Sequence, residues 1–265
     1  MSHTLRCCDH NGGKDLRQVI CLAGLLTVSC MSYAEPPATK QKLTIGVQAI
    51  NHYPHYDFTS GTLRGFAGDL FRLFAKTNQL ELEFVPLPVK RLSKEVHGSV
   101  DFVYPDNPKW QALREGDDGR HYSQPVISNW GVALVLPENK DISLDQLSSV
   151  SIVRGFTPTK WMPLQSQYGY QFVEVQNTRT AAMMALKGRV DAAEVEYHVA
   201  MHHLGDLGLE ETLVVAESLP QSSVWYHVST IEALDMLERF DLFLLEESLS
   251  IQALAEAYHL TSTTK

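Results

Sequence analysis

Past residue 40 the chain alternates between short apolar runs and segments of helical period. Residues 43–47 (Leu-Thr-Ile-Gly-Val) form a short apolar run that predicts a strand. Gly65-Phe66 then opens a segment whose apolar positions, Leu70, Leu73 and Phe74, fall at helical spacing. The same reading predicts strands at 82–85 and 100–103 and a helix over 90–96, which is a βαβ rhythm with a parallel sheet. Residues 130–136 read as a long buried strand, after which the rhythm restarts. Helices are predicted at 144–147, after Gly155 and at 179–186, and strands at 150–153, 171–175 and 191–195. A last apolar strand at 224–228 precedes a helical tail over 231–258 and is expected to rejoin the first half. Two α/β lobes fit this pattern better than one.

The first 34 residues follow a different rule. Arg6, Lys14 and Arg17 form a basic region, residues 19–28 an apolar core too short to span a bilayer, and Ser32-Tyr33-Ala34 a small-residue end suited to cleavage after Ala34. The expected mature chain is therefore periplasmic and begins at Glu35. A lipid-anchored form acylated at Cys30 is the alternative, although Thr27 stands where such signals usually carry leucine. Cys7, Cys8, Cys21 and Cys30 all lie in this leader, so cleavage leaves no disulfide and no Cys-ligated metal. Removing the leader's three basic and two acidic side chains from 22 and 31 leaves 19 against 29, an acidic protein that is a poor match for nucleic acid or an anionic membrane surface.

The segment Tyr53-Pro54-His55-Tyr56-Asp57-Phe58, with Gly65-Phe66 and Asp69-Leu70 behind it, carries the strongest motif. Together with Tyr122-Ser123-Gln124-Pro125, Leu144-Asp145-Gln146-Leu147, the stretch 150–155 and Gly188-Arg189-Val190-Asp191-Ala192, in that order, it resembles the family 3 extracellular solute-binding proteins, the periplasmic amino-acid-binding type. The resemblance covers nearly all of the mature sequence. It implies an α/β, two-lobe type II periplasmic binding protein fold with two hinge crossovers, near 127–130 and 222–225. The corresponding division is a signal peptide at 1–34, a first lobe at 35–128 with a C-terminal return at 223–265, and a second lobe at 129–222. It further implies a monomer without cofactor that captures a small polar, amino-acid-like solute by hinge closure and delivers it to an ABC permease or a membrane sensor.

By the same resemblance the ligand-binding set is Tyr53, Trp110, Arg154, Thr157 and Glu196, with Arg91 as a further basic candidate. Tyr53 matches the aromatic that stacks on the ligand, and its alternative is a core tyrosine at a strand end. Glu196 falls where the family receives the ligand's ammonium group. Arg154, Gly155 and Thr157 sit where a helix N-terminus meets an anion, with Pro158 in its first turn. The family's threonine-arginine signature after the third strand is missing: the chain reads Tyr104-Pro105-Asp106-Asn107-Pro108-Lys109-Trp110, and Arg114 lies further on.

His198 and His202 have i, i+4 spacing near Glu194 and Glu196, but two histidines do not make a metal site, and no metal is expected. No Gly-x-Ser-x-Gly elbow, Gly-rich phosphate loop or His-Glu-x-x-His helix occurs. A few proteins of this fold are periplasmic dehydratases of the cyclohexadienyl type. An enzyme with Glu196 or His55 as acid or base therefore stands as the second reading.

Overall fold

A computed structural model describes residues 40–92, 99–113 and 119–261. The leader with its cysteines, residues 35–39, the end of the helix predicted over 90–96, and Arg114 lie outside the described residues.

The first half of the fold is built on β1 (Gln41–Gln48), whose buried Leu43, Ile45 and Val47 face one core. A small hairpin, β2 (Asn51–His52) and β3 (Tyr56–Asp57), follows it, and then α1 (Phe66–Asn78). Gly65 precedes the helix at φ 82°, and a Cβ there would lie 2.7 Å from the Pro54 carbonyl oxygen, so both conformation and space call for glycine. From α1 the rings of Phe66, Phe71 and Phe74 enter the core, each contributing roughly 1.5–3 kcal/mol by burial. β4 (Leu80–Leu87), the short α2 (Val89–Leu92) and β5 (Phe102–Asp106) complete this half-sheet, with β4 and β5 parallel to β1 on either side.

After β6 (His121–Tyr122), β7 (Ile127–Val135) leads into the second half. There the order is β8 (Ser149–Val153), α3 (Met162–Tyr168), β9 (Gln171–Val175), α4 (Thr178–Leu186), β10 (Ala192–Glu196), α5 (Tyr197–Gly205) and β11 (Val214–Val215). β8 lies parallel between β9 and β10, and β10 runs antiparallel to β7. One face of this half-sheet packs on Ala181, Ala182 and Leu204 of α4 and α5, the other on Trp161 and Tyr170.

β12 (Ser222–Thr230) joins the halves. Its first residues pair antiparallel with β7, Ser222 opposite Gly131 through Tyr226 opposite Ile127, and its later residues pair with β5 and β6. The strand order is therefore β4-β1-β5-β12-β7-β10-β8-β9. α6 (Leu234–Glu246) and α7 (Ser248–Ala257) finish the chain, with Phe240 and Phe243 of α6 stacked among the α1 rings. Among the described residues no helix is long and apolar enough to cross a membrane.

Three local expectations differ from the structure. The helix expected at 144–147 is a single 3-10 turn, Leu144–Gln146, closed by a Ser143–Gln146 capping box. The helix expected directly after Gly155 begins only at Met162: Gly155 takes φ 98°, and the Thr159 and Trp161 amides turn back onto the carbonyls of Thr157 and Pro158. Pro158 is thus a turn residue, and Pro163 occupies the first turn of α3. The helical tail is two helices that meet at Glu247.

Candidate functional site

A cavity of about 170 Å³ lies where β7 and β12 cross between the half-sheets. Its floor is formed by these strands through Asn129, Gly131, Ser222, Val224 and Tyr226. The second half supplies the end of β8, the turn Phe156–Lys160 and the end of β10; the first half supplies His52 and Trp110. The carboxyl ends of parallel strands are where open α/β sheets present ligand sites, because loops diverge there and leave a crevice.

Alternation along β10 puts Glu194 and Glu196 on one face, both toward the cavity, with Val195 turned into the core. Glu194 Oε1 lies 3.0 Å from Lys160 Nζ, and its Oε2 accepts a 2.7 Å hydrogen bond from Trp161 Nε1. Burial raises the Glu194 pKa and lowers that of Lys160, each effect being partly offset by the other's charge. Gly131 makes room for this pair, since a Cβ there would sit 3.1 Å from Lys160 Nζ and 2.7 Å from Ser222 Oγ. The result is an acid and a base side by side, both opening on the cavity.

Glu196 has internal partners instead. Its Oε2 accepts from the Val199 amide at 2.7 Å as the N-cap of α5, and Oε1 accepts from the Trp130 amide at 3.2 Å. His198 Nδ1 and His55 Nε2 lie 2.9 and 3.4 Å from the same Oε1. Burial alone would raise the pKa of this carboxyl, but the two imidazoles outweigh it and hold the group well below the carboxylate range. His52 is also buried, stacked 4.9 Å from Tyr56 and tilted against Phe156 at 5.8 Å, with Nε2 3.3 Å from the Tyr226 hydroxyl. Burial, reinforced by the neighbouring His55, pushes its pKa down to about 3, so His52 is a neutral ring in the cavity wall.

Of the six residues singled out in the sequence, Trp110, Thr157 and Glu196 line the cavity. Three do not. Tyr53 packs on His202 at 4.4 Å and edge-on to Tyr258 at 5.9 Å, because the hairpin turns the adjacent His52 inward instead. Arg154 is 66 % exposed and lies 3.4 Å from Glu174 on the neighbouring strand β9. Arg91 is exposed on α2. The i, i+4 histidines also part company: His198 turns to Glu196, while His202 packs at a tilt on Tyr53 and lies 3.6 Å from Asp206. His203 is buried rather than a surface helix residue. Sequence reasoning missed Lys160, Glu194 and Tyr226 as cavity residues; for Glu194 the two-residue spacing from Glu196 on a strand was an available signal.

No protein-family model and no curated protein matches the chain by sequence. Its fold, in contrast, matches many solved structures. The GluR0 ligand-binding core in complex with L-glutamate superposes with a TM-score of 0.66 at 19 % identity, over 83 % of this chain and 99 % of that one. A histidine kinase sensor domain with similarity to periplasmic binding proteins gives 0.66 at 17 % identity, over 83 % and 96 %. The substrate-binding protein of an ABC uptake transporter from Streptococcus pneumoniae, with bound histidine, gives 0.66 at 12 % identity, over 84 % and 95 %. With its half-sheets joined through β7 and β12 and a cavity at their junction, the chain has the type II periplasmic-binding-protein fold that these domains share.

Proposed function

We propose that this chain is an exported solute receptor that closes two lobes on a small zwitterionic molecule of amino-acid type. The observation that carries the proposal is the Lys160–Glu194 pair, opposite charges 3.0 Å apart on the wall of a cavity lined from both half-sheets. A solute bearing a carboxylate and an ammonium group satisfies each charge in turn, the carboxylate toward Lys160 and the ammonium toward Glu194, in charge-assisted hydrogen bonds. Asn129, Thr157, Ser222 and the Tyr226 hydroxyl add neutral polar partners, and Trp110 adds an apolar wall. A cavity of about 170 Å³ suits a small solute.

The lobes of this proposal are residues 35–128 with 223–265, and 129–222, hinged at the paired stretches of β7 and β12. The leader at 1–34 directs export to the periplasm. Solved domains of this fold serve both an ABC uptake transporter and a histidine kinase, and either kind of membrane partner fits a receptor whose closed form is the signal. The similar structures described above are binding domains, and the binding reading is preferred here to the dehydratase-type enzyme.

The test is a thermal-shift screen of the mature protein against amino acids, organic acids and polyamines, run with a chelator present. A true ligand at a hundred times its dissociation constant adds about 2.7 kcal/mol. Stabilisation confined to zwitterions supports the proposal, and stabilisation confined to uncharged or purely anionic solutes contradicts it.

A further inference from the structure

The contact between the hairpin of the first half and α5 of the second is made by His55, Glu196 and His198, of which only Glu196 also lines the solute cavity. His55 stands in the hairpin turn just before β3 and is fully buried, yet neither ring nitrogen has a hydrogen bond of good geometry among the described residues. A buried polar atom left without a partner costs roughly 1–3 kcal/mol, so such a ring needs a reason. Its Nε2 lies 3.4 Å from Glu196 Oε1, too long for a charge-assisted hydrogen bond, which would bring the atoms to about 2.7–2.9 Å. His198 Nδ1 approaches the same oxygen from α5 at 2.9 Å. One donor atom from each of the three residues lies within 4.8 Å of the other two.

That spacing has a simple meaning. Ligand atoms at about 2.0 Å from a tetrahedral Zn²⁺ lie roughly 3.3 Å from one another. Two imidazole nitrogens and a carboxylate oxygen form a common Zn²⁺ ligand set with one position left over. The carboxylate is already oriented for the role, since the Trp130 amide holds Oε1 and the Val199 amide holds Oε2. We propose that His55, Glu196 and His198 bind a divalent transition-metal ion of the Zn²⁺ class, which ties the first half of the fold to the second. His202 has the i, i+4 spacing from His198 that suggested a site in the sequence, but it is not a ligand: the third group comes from the hairpin, not from the helix.

Ion binding in the solute-free protein is independent of the solute's identity. It therefore stands or falls separately from the proposed function. The experiment uses untagged mature protein stripped with chelator and titrated with Zn²⁺ by calorimetry and with Co²⁺ by visible absorption, beside His198→Ala, Glu196→Gln and His202→Ala. One ion should bind per chain with the intense visible bands of low-coordinate Co²⁺. His198→Ala and Glu196→Gln should weaken binding by at least about a hundredfold, beyond the range seen for loss of an outer-shell partner. His202→Ala should leave it unchanged, and circular dichroism of each variant reports its folding. A wild-type protein that takes up neither ion, or a folded His198→Ala that binds as tightly as wild type, overturns the proposal. So does loss of binding in His202→Ala equal to that in His198→Ala.

Discussion

Lys160 Nζ and Glu194 Oε1 stand 3.0 Å apart on the cavity wall, held by the turn after β8 on one side and the end of β10 on the other. The Trp161 indole N–H fixes the second carboxylate oxygen, so the pair is positioned before any solute arrives. Each charge is mostly withdrawn from water, and each depends on the other.

Removing one member should therefore do more harm than removing both. Lys160→Met leaves Glu194 buried beside Trp161 with no counter-charge and is expected to destabilise the protein by on the order of 3 kcal/mol. Lys160→Met combined with Glu194→Gln should recover most of that loss. Chemical denaturation of the two variants checks the difference; a double variant as unstable as the single one would show that packing rather than charge is at stake.

Arg154→Ala should change little. The guanidinium is exposed and its ion pair with Glu174 lies at the surface, where such pairs contribute about 0–1 kcal/mol. Solute affinity should stay within twofold of wild type by calorimetry. A loss of tenfold or more would return Arg154 to the site.

Gly65→Ala tests the turn that launches α1. The residue's φ of 82° and the Pro54 carbonyl 2.7 Å from where a Cβ would stand leave no room for a side chain. A loss of about 1–3 kcal/mol or more is expected, the cost of a strained non-glycine backbone plus its displacement. Gly61→Ala is the matched control: it shares a positive φ but meets nothing within 4 Å, so it should cost less.

Asp69 predicts part of the acid limb of stability. Burial would raise its pKa, but hydrogen bonds from Tyr258 and Arg72, with the Arg72 charge, outweigh that and lower it. A depressed native pKa stabilises the fold above the unfolded carboxyl value of about 3.9, and this stability is lost as pH falls through the native value. Asp69→Asn should therefore show a shallower loss of stability below pH ~4 than wild type. Parallel slopes in acid titrations of the two would remove Asp69 from the acid transition.

The strands and α1 were legible because apolar residues repeat at the period each element needs: Leu43, Ile45 and Val47 on alternate positions, Phe66, Leu70 and Phe74 at helical spacing. The site was less so. Tyr53 and His52 differ by one residue in a hairpin, which decides the face a side chain takes, and the more aromatic candidate was the outward one. Glu196 ends β10 as expected, but its position as the N-cap of α5, bonded to the Val199 amide and approached by His198, was a local signal left unread, while His55 reaches it from the other half of the fold. Lys160 followed a turn whose length, set by Gly155 and Pro158, brought it inward while Arg154 pointed away.

Isothermal titration calorimetry of wild type, Lys160→Met and Glu194→Gln, with the solute that most stabilises the mature protein, tests the central claim most directly. One-to-one binding is expected in wild type, with each variant weaker by roughly ten- to a hundredfold, as when a charge-assisted hydrogen bond is lost. Folded variants that bind the zwitterion as tightly as wild type would show that Lys160 and Glu194 hold the fold and do not read the solute.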